Sequence, residues 1–360
     1  MTLPKLLIRT DASLASGLGH LMRCRALAGE WRQHGGAVTF LTTSTSQEFL
    51  DRLRQEGCEV LTGQPGRTCL DELDWLVPIL QKEQAGLLIL DGYDFDEDYQ
   101  QEVKSWVNCL VCLDDVPKRR FACDVLLNQN LGVSAGDYEP YVLPETTLLL
   151  GTRYALLRSE FKHHAGSYRV TAKPRQVLVT LGGADPDDHT ARVLKELAND
   201  SDLEIDVVLG ALYPHPDPVS RTPGLNPNHV RVHRGLNSLL SLAKQTDLAV
   251  TGGGSTVWEL ACLGTPMVVL GTADSQEALL RGLRAEQAAL VLGPIDSITS
   301  GEIIEAVQSL LAVPSRLQEL SQSAARLVDG LGAERVIDGL RGAYARVLDR
   351  RGVSTRLGSM

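Results

Sequence analysis

The chain has 360 residues, 43% hydrophobic and 22% charged, a balance that belongs to a globular protein of about two domains. Its formal net charge of −10 argues against a nucleic-acid surface and against docking on anionic lipid. No apolar run approaches the ~18 residues of a membrane helix, Met1–Lys5 leads into the first strand without room for a signal peptide, and seven cysteines in apolar segments suit a reducing cytoplasm.

Leu6-Leu7-Ile8 reads as a buried strand, and Leu21, Met22, Ala26, Leu27 and Trp31 recur at near-helical spacing from a start near Gly19. Between them, Gly17 and Gly19 let a ligand approach the backbone without a Cβ in the way. His20 falls in the first helical turn, where a neutral ring able to accept a proton is expected. Met22 stands where the dinucleotide fingerprint has its third glycine, so this is not that motif. A packing turn with a surface histidine is the plain alternative. Asp11 and Ser13, polar groups at the carboxyl end of the first strand, favour a His20-centred site.

Val38–Thr42 reads as a second strand, Ser46 to Glu56 as a helix, Gln64 to Leu70 as a loop and Asp74 to Gln84 as a helix. Leu87–Leu90 is a continuous apolar strand running into Asp91-Gly92-Tyr93. The acids from Asp94 to Asp98 contain a D-x-D, but no further ligand stands at metal spacing, and a helix cap is expected of them. Cys109 and Cys112 lie on one strand facing opposite ways, as core cysteines, and that strand ends in Asp114-Asp115, which reads as a turn or a ligand-positioning acid. Val125–Leu127 and Thr147–Leu150 complete this half, and Phe161 to Pro174 reads as a linker.

The alternation then restarts. Strands are expected at Gln176–Leu181, Ile205–Leu209, Leu248–Val250, Met267–Leu270 and Ala288–Leu292. Helices are expected at Thr190–Leu197, Asn237–Ala243, Val257–Leu263, Ile303–Leu311 and Gln318–Leu327. The pattern predicts two doubly wound, Rossmann-like α/β domains, 1–165 and 166–345, with a frayed tail at 346–360 and a cleft between the strand ends.

Gly252-Gly253-Gly254-Ser255-Thr256 leads from a strand straight into a helix, which suits a diphosphate held by backbone N–H groups and hydroxyls. Glu259, a turn later, is placed to accept from ribose hydroxyls; the alternative is a tight turn with Ser255 as a helix cap. Gly182-Gly183 is a weaker version of the same feature, with Asp185-Pro-Asp-Asp as a capping cluster. No metal, cofactor or serine-hydrolase motif is expected.

These motifs together resemble a known family. Arg9-x-Asp-Ala-Ser, Gly17-x-Gly-His-x-Met-Arg-Cys24, Asp91-Gly-Tyr93, Asp114-Asp115, Cys123 to Asn130, Gly151 to Arg158, Leu181 to Asp185 and Gly253 to Glu259 are similar to the UDP-2,4-diacetamido-2,4,6-trideoxy-β-L-altropyranose hydrolases of pseudaminic acid synthesis. The resemblance implies a GT-B-like fold and metal-independent, inverting hydrolysis of a UDP-sugar in the cytoplasm. It implies His20 as the group that activates water and Tyr93 as a catalytic neighbour near the sugar. Arg9, Asp11, Gly17, Gly19, Asp91 and Gln276 become sugar-side contacts, and Gly182, Gly183, Gly253, Gly254, Ser255, Thr256 and Glu259 hold UDP. Two positions depart from the family pattern: Gly92 where a histidine is usual, and Ser275 where an asparagine is usual. The only partner implied is a small-molecule UDP-sugar, with no nucleic acid, no integral membrane segment and a monomer favoured. A glycosyltransferase of the same fold and a non-catalytic nucleotide-sugar-binding protein are the alternative readings, and fold alone does not separate the three.

Overall fold

The computed structural model describes residues 3–11, 19–43, 47–64, 69–83, 86–198, 200–224, 226–299 and 301–351. Gly17 and Ser13 lie outside them. The chain divides into two compact units.

The first unit is built on seven strands: β1 (Leu6–Thr10), β2 (Val38–Thr42), β3 (Glu59–Thr62), β4 (Leu87–Asp91), β5 (Cys109–Leu113), β6 (Val125–Asn128) and β7 (Thr147–Leu150). They pair in parallel in the order β3-β2-β1-β4-β5-β6-β7. The second has six: β8 (Gln176–Thr180), β9 (Glu204–Leu209), β10 (Val230–Arg234), β11 (Leu248–Gly252), β12 (Met267–Gly271) and β13 (Leu290–Pro294). Their order is β10-β9-β8-β11-β12-β13, the same winding again, all parallel.

The central strands β1, β4, β5, β11 and β12 are buried along their whole length, as a sheet covered on both faces requires. In each unit the winding reverses once, between β1 and β4 and between β8 and β11. Such a reversal leaves a crevice at the carboxyl ends of the two strands, where open α/β sheets bind ligands. The sequence motifs fall there: Gly19-His20 after β1, Asp91 at the end of β4, Gly182-Gly183 after β8 and Gly252–Ser255 after β11.

Among the described residues the first unit comprises β1, His20–Ser159 and 331–351, and the second Gly19 and Glu160–Gly330, beside the expected boundaries at 165/166 and 345/346. The stretch 346–350 is not a frayed tail: it ends a 19-residue helix, Gly332–Arg350, with Val347 and Leu348 buried. The expected linker is pinned down. Gly166 N donates to Cys262 O at 2.8 Å and Tyr168 N to Leu263 O at 3.0 Å. Asp247 gathers Thr171 Oγ1 at 2.7 Å, Arg175 N at 2.8 Å and Gln176 N at 2.9 Å on its carboxylate. A polar, Gly- and Pro-marked stretch resembles a free linker until a single buried acid collects its donors.

Cys109 and Cys112 are both buried in β5, and Asp96 caps the helix Glu97–Lys104, accepting from Tyr99 N at 2.9 Å, as the sequence suggested. Among the described residues no helix is long and apolar enough to cross a membrane.

Candidate active site

In the first unit the helix Gly19–Gln33 begins at the end of β1 and carries His20 on its first turn. His20 is 7% exposed, so it is not an incidental surface residue. Its Nδ1 lies 2.6 Å from Asp91 Oδ1 and 3.0 Å from Arg23 Nη2. Arg23 donates to both Asp91 oxygens, Nε to Oδ2 at 2.8 Å and Nη2 to Oδ1 at 2.6 Å. Burial alone would raise the Asp91 carboxyl, but the Arg23 guanidinium and then His20 outweigh it and hold it well below the usual carboxylate range.

Nδ1 has an acceptor at 2.6 Å, the ionised Asp91 oxygen, and a donor at 3.0 Å, Arg23 Nη2; assigned by the shorter contact, Nδ1 carries the hydrogen and donates to Asp91. The bare nitrogen is Nε2, which has no hydrogen-bond partner among the described residues.

Asp115, just beyond the end of β5, extends the cluster. It accepts from Arg23 Nη1 at 2.6 Å, from Asn130 Nδ2 at 3.2 Å and from the Tyr93 hydroxyl at 3.3 Å. Burial opposes its charge, but Arg23 prevails and its carboxyl is lowered. Tyr93 is 53% exposed and stands edge-on to the His20 ring, with centroids 5.0 Å apart. Partial desolvation of its phenol, then the Asp115 carboxylate, push it up to about 12, so it is a hydrogen-bond donor at neutral pH. Arg119 donates to the carbonyls of Tyr93 at 2.6 Å and Gly92 at 3.1 Å, fixing the turn that carries the phenol.

Arg9, expected among the sugar contacts, is paired with two carboxylates of its own unit. It is 2% exposed, and its guanidinium grips Glu72 through Nε at 2.7 Å and Nη2 at 2.6 Å, with Nη1 2.7 Å from Asp11. A charge on a strand buried on both faces must be paired inside. Asp11 also accepts from Thr43 N at 2.6 Å and Thr42 Oγ1 at 3.1 Å, joining the ends of β1 and β2. Gly19 has open space where a Cβ would stand.

In the second unit the expected turn opens the helix Thr256–Leu263. Ser255 occupies the capping position but makes no side-chain cap, so the helix does not consume its hydroxyl. Gly253 N donates to Leu270 O at 3.0 Å, whereas the N–H groups of Gly254, Ser255 and Thr256 find no acceptor among the described residues. Gly254 has open space where a Cβ would be; at Gly253 a Cβ would press to 2.9 Å from Gln276 Oε1. Gln276 thus braces the turn from the side, its Oε1 accepting from Thr272 N at 2.9 Å. Glu259 is half-buried one turn on.

Gly182 takes φ +107°, open to glycine without strain. Asp185 turns inward and caps the following helix, accepting from His189 N and Thr190 N, each at 2.9 Å. Gly183 is approached by the backbone after β9, so closely that a Cβ on Gly210 would fall 2.2 Å from Gly183 O. Gly210→Ala is therefore expected to displace this turn and cost about 1–3 kcal/mol, read as a lower midpoint in urea.

Arg23 and Asn130 were not among the residues expected at the site, and Asp115 was read as a turn or a ligand-positioning acid. The signal available for Arg23 was its position three after His20, which puts both on one helix face. Among the described residues no group of three or more His, Cys, Asp or Glu is placed to hold a metal ion.

Two parallel α/β sheets of the same winding, one in each unit, define a chain of GT-B type. Solved structures agree on that fold. MurG of Acinetobacter baumannii superposes with a TM-score of 0.65 at 15% identity, covering 94% of this chain and 100% of that one. A putative UDP-N-acetylglucosamine 2-epimerase from Listeria monocytogenes gives 0.64 at 13% identity, over 95% and 97%. No protein-family model matches. By sequence the chain is 25% identical over 343 residues to the spore coat polysaccharide biosynthesis protein SpsG of Bacillus subtilis, 94% of this chain and 98% of that protein. It is 23% identical over 274 residues to the UDP-2,4-diacetamido-2,4,6-trideoxy-beta-L-altropyranose hydrolase of Campylobacter jejuni, 76% of this chain and 94% of that one. An uncharacterized protein of Methanocaldococcus jannaschii is 27% identical over 274 residues, 74% of this chain but 55% of that protein, so the chain spans about half the length of this relative.

Proposed function

We propose that the chain is a nucleotide-sugar hydrolase acting on a UDP-linked diacetamido-trideoxy sugar. The observation that carries this is the His20 Nδ1–Asp91 contact of 2.6 Å, which leaves Nε2 bare at a strand end. In this reading Nε2 takes a proton from water as the water oxygen bonds to the anomeric carbon. The bond from that carbon to the diphosphate oxygen breaks, and its electron pair leaves with UDP, inverting the centre. The N–H groups of Gly254, Ser255 and Thr256, with the two hydroxyls, receive the diphosphate, and Gly182-Gly183 supports it. Tyr93, whose hydroxyl hydrogen goes to Asp115, offers its oxygen as an acceptor to the sugar, Asp11 and Gln276 contribute on the sugar side, and Glu259 holds ribose.

Free UDP released from a panel of UDP-amino sugars is the deciding assay. Release from none of them would overturn the reading. Release that needs an added acceptor would favour the second reading, a glycosyltransferase of the same fold. The acid clusters around Asp91, Asp96 and Asp115 are filled by Arg23, helix N–H groups and Tyr93. Turnover is therefore expected to survive excess EDTA, and a loss restored by Mg²⁺ or Mn²⁺ would count against a metal-free mechanism. Glu259→Ala removes binding made in ground and transition states alike. It should raise KM several-fold with kcat little changed, as steady-state kinetics would show.

A further inference from the structure

We propose that Arg23 is a positioning residue that ties the proton-accepting histidine and the Tyr93 phenol into one unit. This rests on the reading of His20 as the base. Arg23 is 6% exposed, and its guanidinium spans two carboxylates at the ends of neighbouring strands. Nε and Nη2 hold both oxygens of Asp91 at 2.8 and 2.6 Å, and Nη1 holds Asp115 at 2.6 Å.

Each of those carboxylates serves one of the two side chains. Asp91 Oδ1 takes the Nδ1 hydrogen of His20 at 2.6 Å, and Asp115 Oδ2 takes the Tyr93 hydroxyl at 3.3 Å. Without the guanidinium two carboxylates would face each other across β4 and β5 and repel. With it, the chain of contacts runs unbroken from Nδ1 through Asp91, Arg23 and Asp115 to the phenol. A planar fork with five donors makes this bridge; a lysine ammonium, a point charge on a flexible stem, cannot hold both acids in fixed directions. Arg23 therefore sets the histidine tautomer and the phenol direction without itself meeting the substrate.

Arg23→Lys in the full chain tests this, because it keeps the charge and removes the fork. ¹⁵N spectra of the His20 ring are expected to show one Nδ1–H tautomer in the wild type and a tautomer mixture in the variant. The kcat for UDP release should fall at least ~10-fold, within the ~10² that a small misplacement costs. UDP affinity should be unchanged. The loss caused by Tyr93→Phe should shrink in the Arg23→Lys background, since the phenol is no longer aimed. Should the single variant not fold, Arg23→Met combined with Asp115→Asn leaves Asp91 as the one carboxylate, facing His20, and is read in the same way. An unaltered His20 tautomer, or full additivity with Tyr93→Phe, would overturn the proposal. A wild type that shows the single tautomer, loses it in Arg23→Lys, yet releases no UDP from any UDP-sugar would overturn the proposed hydrolysis and leave the role of Arg23 standing.

Discussion

His20→Asn is expected to lower kcat for UDP release by ~10²–10⁴-fold, the range a positioned general base contributes. The substitution keeps a polar group of similar reach that can still bond Asp91, so the packing at the end of β1 should survive. What it removes is the bare Nε2. Because the proposed UDP contacts all lie in the other unit, UDP affinity measured by calorimetry should stay within a factor of two or so. Turnover near the wild-type level would mean that water is activated elsewhere, with Tyr93 the next residue to test.

Asp91→Asn should be at least as damaging, by up to ~10⁴-fold in kcat, although Asp91 has no part in the proton transfer itself. The asparagine amide can donate to Nδ1, which turns the tautomer round and puts the hydrogen on Nε2. The variant also removes a fully buried carboxylate that answers Arg23, His20 and, through Oδ2, the Cys24 thiol at 3.3 Å. Breaking a buried pair of this kind costs about 3–5 kcal/mol at neutral pH. The pH dependence has a definite sign. The folded-state carboxyl of Asp91 lies below its ordinary value of 3.8, so its stabilisation is fully present above that value and is lost as pH falls beneath it. Urea midpoints of wild type and variant should therefore converge below about pH 4 and differ most near neutrality. Equal midpoints at pH 7 would show that the Arg23–Asp91 pair contributes nothing net.

The central strands were legible because a strand covered on both faces is an apolar run: Leu87–Leu90, Cys109–Leu113 and Met267–Leu270 all read correctly. The edge strands β3 and β10 were not expected, for the converse reason. Glu59–Thr62 and Val230–Arg234 are only partly covered, so charged and polar residues interrupt the run. The helix Gly332–Arg350 was hidden by its glycines, which look like helix breakers in sequence. Two of them are packing devices: a Cβ on Gly332 would strike Ala155 O at 2.1 Å, and one on Gly339 would press Leu149 at 3.0 Å.

At the site, the glycine turns and His20 were visible because each is local in the chain. The Arg23–Asp115 bridge was not, since its partners are 92 residues apart and only the parallel pairing of β4 and β5 brings them together. The partner of Arg9 was hidden for a related reason. Its motif position suggests a ligand, while the carboxylate that occupies it, Glu72, lies 63 residues on in a different helix.

The return of the last helix makes the first unit discontinuous in the gene. Apart from Gly19, the described residues of the second unit form one run, 160–330, whose two ends touch: a Cβ on Gly330 would lie 2.7 Å from Lys162 Cα. It is an insertion, with both ends leaving from one place, and Gly332 packs directly on Ala155 in the host. A fragment stopping at Ser159 would leave uncovered the surfaces of Leu149 and Ala155 that this helix occupies. A spliced chain joining Ser159 to Leu331 through a short flexible linker would keep them covered. Expressed beside the excised run, it would let each half be purified, mutated and titrated alone, and exchanged with the equivalent half of a relative.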